Sequence, residues 1–218
     1  MLFRSVPEDV IIPESRKKPF GTAHALLSCK DCVKESFAII NADDFYGENT
    51  YKVLADFLRG EKKEHALVAF ELDKTLTANG TVSRGIVAYK NGYLTDIDER
   101  LKIYEKDNQI YYLEDDKEYE IPNDSLASMN FWGFNPSIFG EIESKFNEFL
   151  RKNIENLETA EFLIPVVIKD LIKAGVKVNL LKSNETWFGI SYKEDLDSVS
   201  KAICKKVTDG VYKENLWD

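Results

Sequence analysis

Cysteine is scarce in this chain, with three residues among 218. Cys29 and Cys32 form one Cys-x-x-Cys pair, and Cys204 stands apart from them. This number and spacing support neither a disulfide framework nor a zinc site with four cysteine ligands. The pair also falls inside a predicted helix, where thiols without a second pair are typical of packing or surface residues. Redox and zinc-dependent functions are therefore not expected.

Long apolar runs are missing as well. A membrane helix needs roughly 18 consecutive apolar residues, and no run in the sequence approaches that length. The first seven residues lack the apolar core of a secretory signal. Hydrophobic residues make up 44% of the chain and charged residues 31%, a composition typical of a folded domain. We therefore predict one domain over residues 1–218, located in the cytoplasm and without membrane contact.

Positive charge is in the minority. Lys and Arg number 29 against 38 Asp and Glu, which gives a formal net charge of -9. A nucleic-acid-binding surface would need a clustered basic patch. The charge balance thus argues against nucleic acid and favours small molecules or proteins as partners.

An apolar segment that ends in an acidic turn is the most informative local pattern. Residues 37–40 are apolar, and Asn41, Asp43 and Asp44 follow them. Ligands of open α/β sheets bind beyond the carboxyl ends of the strands, where carboxylates suit Mg²⁺ held together with substrate phosphates. The plainer interpretation is an acidic turn that keeps the strand end soluble, because Asp and Asn are ordinary turn residues.

Alternating strand and helix patterns predict an α/β fold with appended hairpins. Asn91 and Gly92 give the strongest hairpin signal, since both central residues of a type I′ turn need positive φ. The predicted elements are, in order, a strand at 10–12, a helix capped by Thr22 to about Cys32, a strand from Phe37, a helix from Asn49 or Thr50 to Gly60, a strand at 67–72, hairpins around 91–92 and 114–117, a strand at 128–134, a helix from Asn135, a helix at 162–174, a strand at 176–180 and a closing helix.

Several motifs, in order, carry a family resemblance. Residues 18–26 read Lys-Pro-Phe-Gly-Thr-Ala-His-Ala-Leu, and the acidic strand end follows. This is similar to the Pro-x-Gly-Thr-Ala-x-Ala-Leu helix start of the sugar-phosphate nucleotidyltransferases, which precedes a strand ending in Gly-Asp; Ala42 and Asp43 stand in the place of that pair. Residues 98–100 resemble the family's Glu-Lys-Pro turn, residues 129–134 its Asn-x-Gly strand, and residues 187–190 its late Trp-containing turn.

The resemblance implies both a fold and a reaction. The fold is three-layer α/β/α of the nucleotide-diphospho-sugar transferase type, Rossmann-like, with a mixed, mainly parallel sheet and appended β-hairpins. In the reaction, a nucleoside triphosphate and a sugar 1-phosphate give a nucleotide sugar and pyrophosphate, with Mg²⁺ as cofactor.

The same resemblance assigns site residues. Gly21 and Thr22 would bind the nucleotide, glycine because no side chain then blocks a close approach. Asp43 would be the catalytic residue, hold Mg²⁺ and thereby contact the nucleotide phosphates. Glu99 and Asn130 would bind the sugar. Each also has a plainer interpretation: a helix start, a hairpin-end charge or a strand-edge polar group.

Three departures from the family pattern stand out. The family's glycine-rich phosphate loop has no counterpart, because no two of the eleven glycines form a G-x-G. The lysine after the sugar-binding glutamate is Arg100, and Gly189 stands where the family often has a metal-binding aspartate. Glu161 and Asp195 are both candidates to replace that aspartate.

The missing loop leads to two further expectations. We expect that the single domain is incomplete at its N-terminus and that the strand containing Ile39 has an unpaired edge, through which a homo-oligomer could form. It also leaves two alternatives to the nucleotidyltransferase reaction. One is an inactive nucleotide- or sugar-binding remnant that acts as a partner or regulatory domain; the other is an alcohol-phosphate cytidylyltransferase with Trp132 and Trp187 in an aromatic box.

Overall fold

The computed structural model describes residues 6–60 and 63–215, and within them eight strands form one sheet. Its order is β1-β7-β2-β8-β4-β5-β6, with β3 paired to β4 and β7. The strands are β1 Phe37–Ile39, β2 His65–Glu71, β3 Val82–Lys90, β4 Tyr93–Lys106, β5 Gln109–Glu114, β6 Lys117–Ile121, β7 Leu126–Phe134 and β8 Val178–Lys182; the helices are α1 Thr22–Leu27, α2 Glu48–Arg59, α3 Ile138–Lys152, α4 Ile164–Lys173 and α5 Asp195–Thr208.

Three layers follow from the alternation of side chains along β2. Leu67 and Ala69 face one core, which they share with α1, α3 and α4. Ala66, Val68 and Phe70 face a second core on the other side of the sheet, which contains Leu54 of α2. Because successive strand residues point to opposite faces, an unbroken apolar run is what a strand covered by helices on both sides requires.

Pairing within the sheet is more antiparallel than the sequence suggested. The sheet is mixed, as predicted, but β2 and β8 are the only parallel neighbours among the described strands. Strand β7 is antiparallel to β1, β2 and β3. It lies between β1 and β2, so the strand-helix-strand unit around α2 skips one position in the sheet.

The hairpins have the expected turn chemistry. Asn91 and Gly92 both have positive φ, at 54° and 80°, as a type I′ turn requires. Two more two-residue turns of this kind join β4 to β5 and β5 to β6; their residues are Asp107 with Asn108, and Asp115 with Asp116. The turn at 114–117 is therefore tighter than predicted, and the turn at 107–108 was not predicted.

Several local predictions were wrong. Residues 10–12 form no strand, and Ile11 is exposed. Helix α1 ends at Leu27 rather than near Cys32, and its N-cap is Gly21 rather than Thr22. Gly60 ends α2 in an extended conformation instead of a left-handed one. In each case a short local pattern was consistent with more than one backbone conformation.

The edge of β1 is unpaired in the described part of the chain, as predicted. The strand forms its ladder with β7 on one side only. An apolar groove of about 400 Å³ runs beside it, lined among others by Leu26, Phe37 and Ile39. The helices in the described ranges include none that is long and apolar enough to cross a membrane.

A comparison of alanine substitutions at two glycines tests how tightly β7 packs on α2. A Cβ added at Gly133 would lie 2.5 Å from Leu54 Cδ1, and Leu54 is buried. We expect Gly133→Ala to lower the free energy of unfolding by about 1–3 kcal/mol through overpacking. At Gly140 in α3 nothing lies within 4 Å of an added Cβ, so Gly140→Ala should be neutral or stabilising by up to about 1 kcal/mol. Urea unfolding of both variants measures the difference; equal effects would contradict the packing described.

Candidate active site

A cavity of about 420 Å³ collects side chains from motifs that are far apart in the sequence. Its walls come from the start of α1, the loop after β1, the β3–β4 hairpin, the middle of β7, the start of α4 and the loop after β8. The lining residues are Thr22, Asn41, Asp44, Ser83, Arg84, Gly85, Glu99, Ser128, Met129, Asn130, Leu163, Pro165, Val166 and Trp187. Three of the residues predicted to form the site, Thr22, Glu99 and Asn130, are therefore brought together.

The acidic turn contributes its second carboxylate to this cavity. Asp44 lines it, whereas Asp43 is exposed and is absent from the lining. Asp44 Oδ2 accepts a hydrogen bond from Asn41 Nδ2 at 2.9 Å and lies 3.1 Å from the Tyr46 hydroxyl oxygen. The sequence could not choose between two adjacent carboxylates, because the choice depends on the turn's backbone angles.

The Tyr46 hydroxyl connects this turn to the central strand. It accepts a hydrogen bond from the Asn41 backbone N–H at 3.1 Å, and Met129 O lies 2.8 Å from it. The single hydroxyl proton can therefore go to either Asp44 or Met129. Tyr46 is 1% exposed, and this burial raises its pKa, so the hydroxyl stays protonated.

Asn130 lies in a bulge of β7. Leu67 of β2 pairs with Trp132 of β7, and Ala69 pairs with Ser128. Between these two pairs, β2 advances by two residues and the antiparallel β7 by four. Two extra residues of β7 are thus accommodated, and Asn130 takes a φ of 58°. Bulges re-aim side chains, and a non-glycine residue at positive φ persists only where its surroundings hold it there. The bulge presents Asn130 to the cavity.

Glu99 reaches the cavity from the β3–β4 hairpin. It pairs with Gly85, which on its other side pairs with Ser128 of β7. A Cβ added at Gly85 would lie 3.2 Å from Ile97 Cδ1 and 3.6 Å from Glu99 Oε2, so Gly85 packs beside both side chains. The surrounding protein raises the pKa of Glu99 by desolvation, and the charge of Arg84 opposes that rise.

Thr22 is held at the cavity by the neighbouring helix start. Its Oγ1 accepts a hydrogen bond from the Ile164 N–H at 3.1 Å, at the first residue of α4. Gly21, in contrast, faces Phe162: it has a φ of 114°, and an added Cβ would lie 2.8 Å from the Phe162 carbonyl oxygen. Glycine is therefore required here by the backbone contact, and Gly21 is not among the lining residues.

Trp187, a candidate from the sequence, lines the cavity together with Arg84, which the sequence analysis did not single out. The Arg84 guanidinium stacks 4.9 Å from the centre of a Trp187 ring. A second cavity, of about 550 Å³, lies on the other side of this pair, between residues 73–79 and the start of α5. No hydrogen-bond partner is seen for Trp187 Nε1 in the described ranges, although the atom is buried.

The two candidates for a replacement aspartate do not line the first cavity. Asp195 accepts hydrogen bonds from Thr77 Oγ1, Asn79 Nδ2 and two backbone N–H groups at residues 191 and 192. These bonds hold its pKa below the usual value and fix the loop to α5. Glu161 is exposed. Neither carboxylate lines the cavity that Asp44 lines.

Gly189 lies directly beside Asp44. Backbone hydrogen bonds between Phe45 and Phe188 join the two loops, at 2.8 and 3.0 Å. A Cβ added at Gly189 would lie 3.0 Å from Asp44 Oδ1 and 2.2 Å from the Trp187 ring. The position at which the family often has a second carboxylate is therefore filled by neighbours here.

The donor set fits a hard cation only if other ligands come from a substrate. Groups of three or more His, Cys, Asp or Glu side chains able to hold a metal are absent from the residues described. Asp44 Oδ1 has no hydrogen bond from that part of the chain, while Oδ2 accepts one from Asn41 and lies within hydrogen-bond distance of the Tyr46 hydroxyl. A single free carboxylate oxygen matches Mg²⁺, which usually takes one or two carboxylates plus water and substrate phosphates.

Several known proteins are similar to this chain in sequence or in fold. UTP–glucose-1-phosphate uridylyltransferase AglF of Haloferax volcanii is 23% identical over 206 residues, which cover 94% of this chain and 71% of that protein. The resemblance to the sugar-phosphate nucleotidyltransferases is confirmed. No protein-family model matches the chain.

Solved nucleotidyltransferase structures have the same fold. The inositol-1-phosphate CTP transferase from T. maritima superposes with a TM-score of 0.58 at 13% identity, over 88% of this chain and 64% of that one. The apo UDP-glucose pyrophosphorylase superposes with a TM-score of 0.53 at 19% identity, over 88% of this chain and 62% of that one. The chain thus spans less than two thirds of these nucleotidyltransferases. The predicted three-layer fold class is confirmed.

The Tyr46 hydroxyl should be important for stability. Tyr46→Phe leaves the Asn41 N–H and the Met129 carbonyl without this partner, and an unsatisfied buried group costs about 1–3 kcal/mol. We expect a loss of that size in the free energy of unfolding, measured by urea titration. Tyr51→Phe is the control: Tyr51 is 45% exposed and contacts the Tyr46 ring, so the change should stay within about 0.5 kcal/mol. A loss of free energy of unfolding in Tyr46→Phe no larger than that in Tyr51→Phe would contradict the importance of the Tyr46 hydroxyl.

The backbone at Asn130 gives a second stability test. Left-handed φ costs a residue with a Cβ about 1–2 kcal/mol, which glycine avoids. Asn130→Gly should therefore be more stable than Asn130→Ala by about that amount, although both remove the amide. Thermal and urea unfolding compare the two variants. If alanine were the more stable, the bulge geometry described here would be wrong.

Proposed function

We propose that this chain binds a nucleoside triphosphate and a sugar 1-phosphate and transfers the nucleotidyl group between them with release of pyrophosphate. One observation carries the proposal: Thr22, Asp44, Glu99 and Asn130 line one cavity, although they come from four separate motifs of the resemblance. In the reaction an oxygen of the acceptor phosphate forms a bond to the α-phosphorus. The bond from that phosphorus to the α,β-bridging oxygen breaks, and its electron pair leaves with pyrophosphate.

Each residue has a distinct role in this proposal. Glu99 accepts hydrogen bonds from sugar hydroxyls, and the Asn130 amide donates to or accepts from the same sugar. Thr22 helps to position the nucleotide at the start of α1. The bulge and the hairpin hold these groups on strands rather than on loose loops, which is the preorganisation that binding and catalysis need.

Mg²⁺ is the cofactor we propose, with Asp44 as its protein ligand. When bound, the cation would offset negative charge on the phosphates during transfer. Asp43, the ligand predicted from the sequence, is its immediate neighbour and remains the alternative. Substitutions of the two aspartates serve as test and control, because one residue lines the cavity and the other is exposed.

The alternatives are supported less well. An aromatic box for a quaternary ammonium would need Trp132, but this residue is 0% exposed and stacks on Phe134 in the core. A choline-type acceptor is therefore disfavoured. An inactive binding remnant shares the same cavity and differs only in turnover. Association of two copies through the open edge of β1, the cytoplasmic location and the lack of nucleic-acid partners stay predictions of the sequence.

Nucleotide titration tests the proposal and the choice of aspartate together. Calorimetry with Mg²⁺ and UTP, dTTP or CTP should show micromolar binding of one nucleotide to the wild-type chain. Asp44→Asn should weaken it by at least about tenfold, as expected for loss of a charged ligand contact, whereas Asp43→Asn should change it by less than about twofold.

Three results carry different meanings. Loss of nucleotide binding in Asp43→Asn, with binding retained in Asp44→Asn, would assign the metal ligand to Asp43. Binding without pyrophosphate release in the presence of a sugar 1-phosphate would favour the inactive remnant. Failure of all three nucleotides to bind with Mg²⁺ would contradict the proposed function.

A further inference from the structure

The cavity contains one cationic side chain among its described lining residues, and it is Arg84. This side chain is 9% exposed. The sequence had directed attention to Arg100, which follows Glu99 and stands where the related enzymes have lysine. The two arginines are cross-strand partners in the β3–β4 hairpin, so the structure allows a direct comparison of their surroundings.

Arg100 is not among the described residues that line the cavity, and its charge is already compensated. Its guanidinium forms ion pairs with Asp98 at 3.6 Å and Glu114 at 3.5 Å. It also lies 4.8 Å from the centre of the Tyr112 ring. Arg100 therefore offers no free positive charge to a ligand in the cavity.

Arg84 has the opposite character, because all its protein partners are uncharged. Nη1 donates to the Ser83 carbonyl at 2.8 Å, Nη2 to the Thr75 carbonyl at 2.5 Å, and Nε to Thr75 Oγ1 at 3.3 Å. In the part of the chain that is described, no carboxylate lies within ion-pair distance of it. One N–H on each terminal nitrogen is left over, since a guanidinium has five.

Burial of a charge without a partner of opposite sign is costly. The surroundings already show this cost, because desolvation lowers the pKa of Arg84 to about 10, while the charges of Asp44 and Glu99 act in the other direction. The three hydrogen bonds and the Trp187 ring fix the guanidinium in place. Such a side chain is preorganised for an anion that completes its hydrogen bonding.

We propose that Arg84 binds the phosphate group of the phosphomonoester acceptor, an inference that rests on the proposed function. A planar guanidinium with two parallel N–H groups matches two phosphate oxygens. The location selects the acceptor: Arg84 and Glu99 line the same cavity, so a sugar held by Glu99 would have its phosphate within reach of Arg84. Arg84 thus has the phosphate-binding role that the resemblance alone would have assigned to Arg100.

Calorimetric titration with glucose 1-phosphate, inorganic phosphate and glucose tests this assignment. Arg84→Gln should weaken binding of the two phosphorylated probes by about 10- to 100-fold and leave glucose binding unchanged. Arg84→Lys keeps the positive charge but lacks the two parallel N–H groups, so we expect a loss of affinity smaller than that in Arg84→Gln. Arg100→Gln is the matched control and should change the binding of each probe by less than about twofold.

Folding of each variant is checked by circular dichroism, and Arg84→Lys carries the test if the glutamine variant does not fold. Equal affinity of wild type and either folded Arg84 variant for glucose 1-phosphate would overturn the inference. A loss in Arg100→Gln as large as in Arg84→Gln would also overturn it, as would failure of the wild-type chain to bind either phosphorylated probe. Nucleotide titration remains a separate readout, so the proposed function can stand while this inference fails.

Discussion

A single buried hydroxyl joins the two sides of the candidate site. The Tyr46 side chain comes from the acidic turn, and its oxygen lies within hydrogen-bond distance of groups on that turn and on the bulge of β7. The bulge frees the Met129 carbonyl from the regular ladder, and the hydroxyl lies where it can satisfy that carbonyl. The position of Asp44 relative to Asn130 therefore depends on one side chain that does not line the cavity. A buried polar network of this kind fixes geometry only while every member has its partner.

Charge within the cavity is unevenly distributed. Asp44 and Glu99 supply two carboxylates, and Arg84 supplies the one positive charge of the described lining. The chain as a whole carries a formal charge of -9, so an anionic substrate approaches an unfavourable average potential. A metal ion at Asp44 and a guanidinium at Arg84 would make the local environment favourable in spite of that average, because charges inside a protein are screened far less than those at its surface.

The sequence predicted the architecture well because long apolar and alternating patterns determine it. Strand β2 and the I′ turn at Asn91 and Gly92 followed from residue types alone, and the family resemblance supplied the motifs and their order. The errors arose where backbone geometry decides between neighbours. Asp44 rather than Asp43 lines the cavity because of the backbone angles of the turn, and Arg84 rather than Arg100 is free of ion pairs because Asp98 and Glu114 lie beside Arg100. The positive φ of Asn130 comes from a register shift between two strands, which a single segment of sequence does not contain.

The crowding at Gly189 has a consequence for how this site can change over generations. The space that a side chain would need there is taken by the Trp187 ring and by Asp44 Oδ1. A side chain at position 189 therefore requires the Trp187 ring to move or residue 187 to become smaller, and either change alters the ring on which Arg84 stacks. Positions 84, 187 and 189 are therefore coupled, because a substitution at 189 changes the surroundings of Trp187 and, through its ring, the support of Arg84.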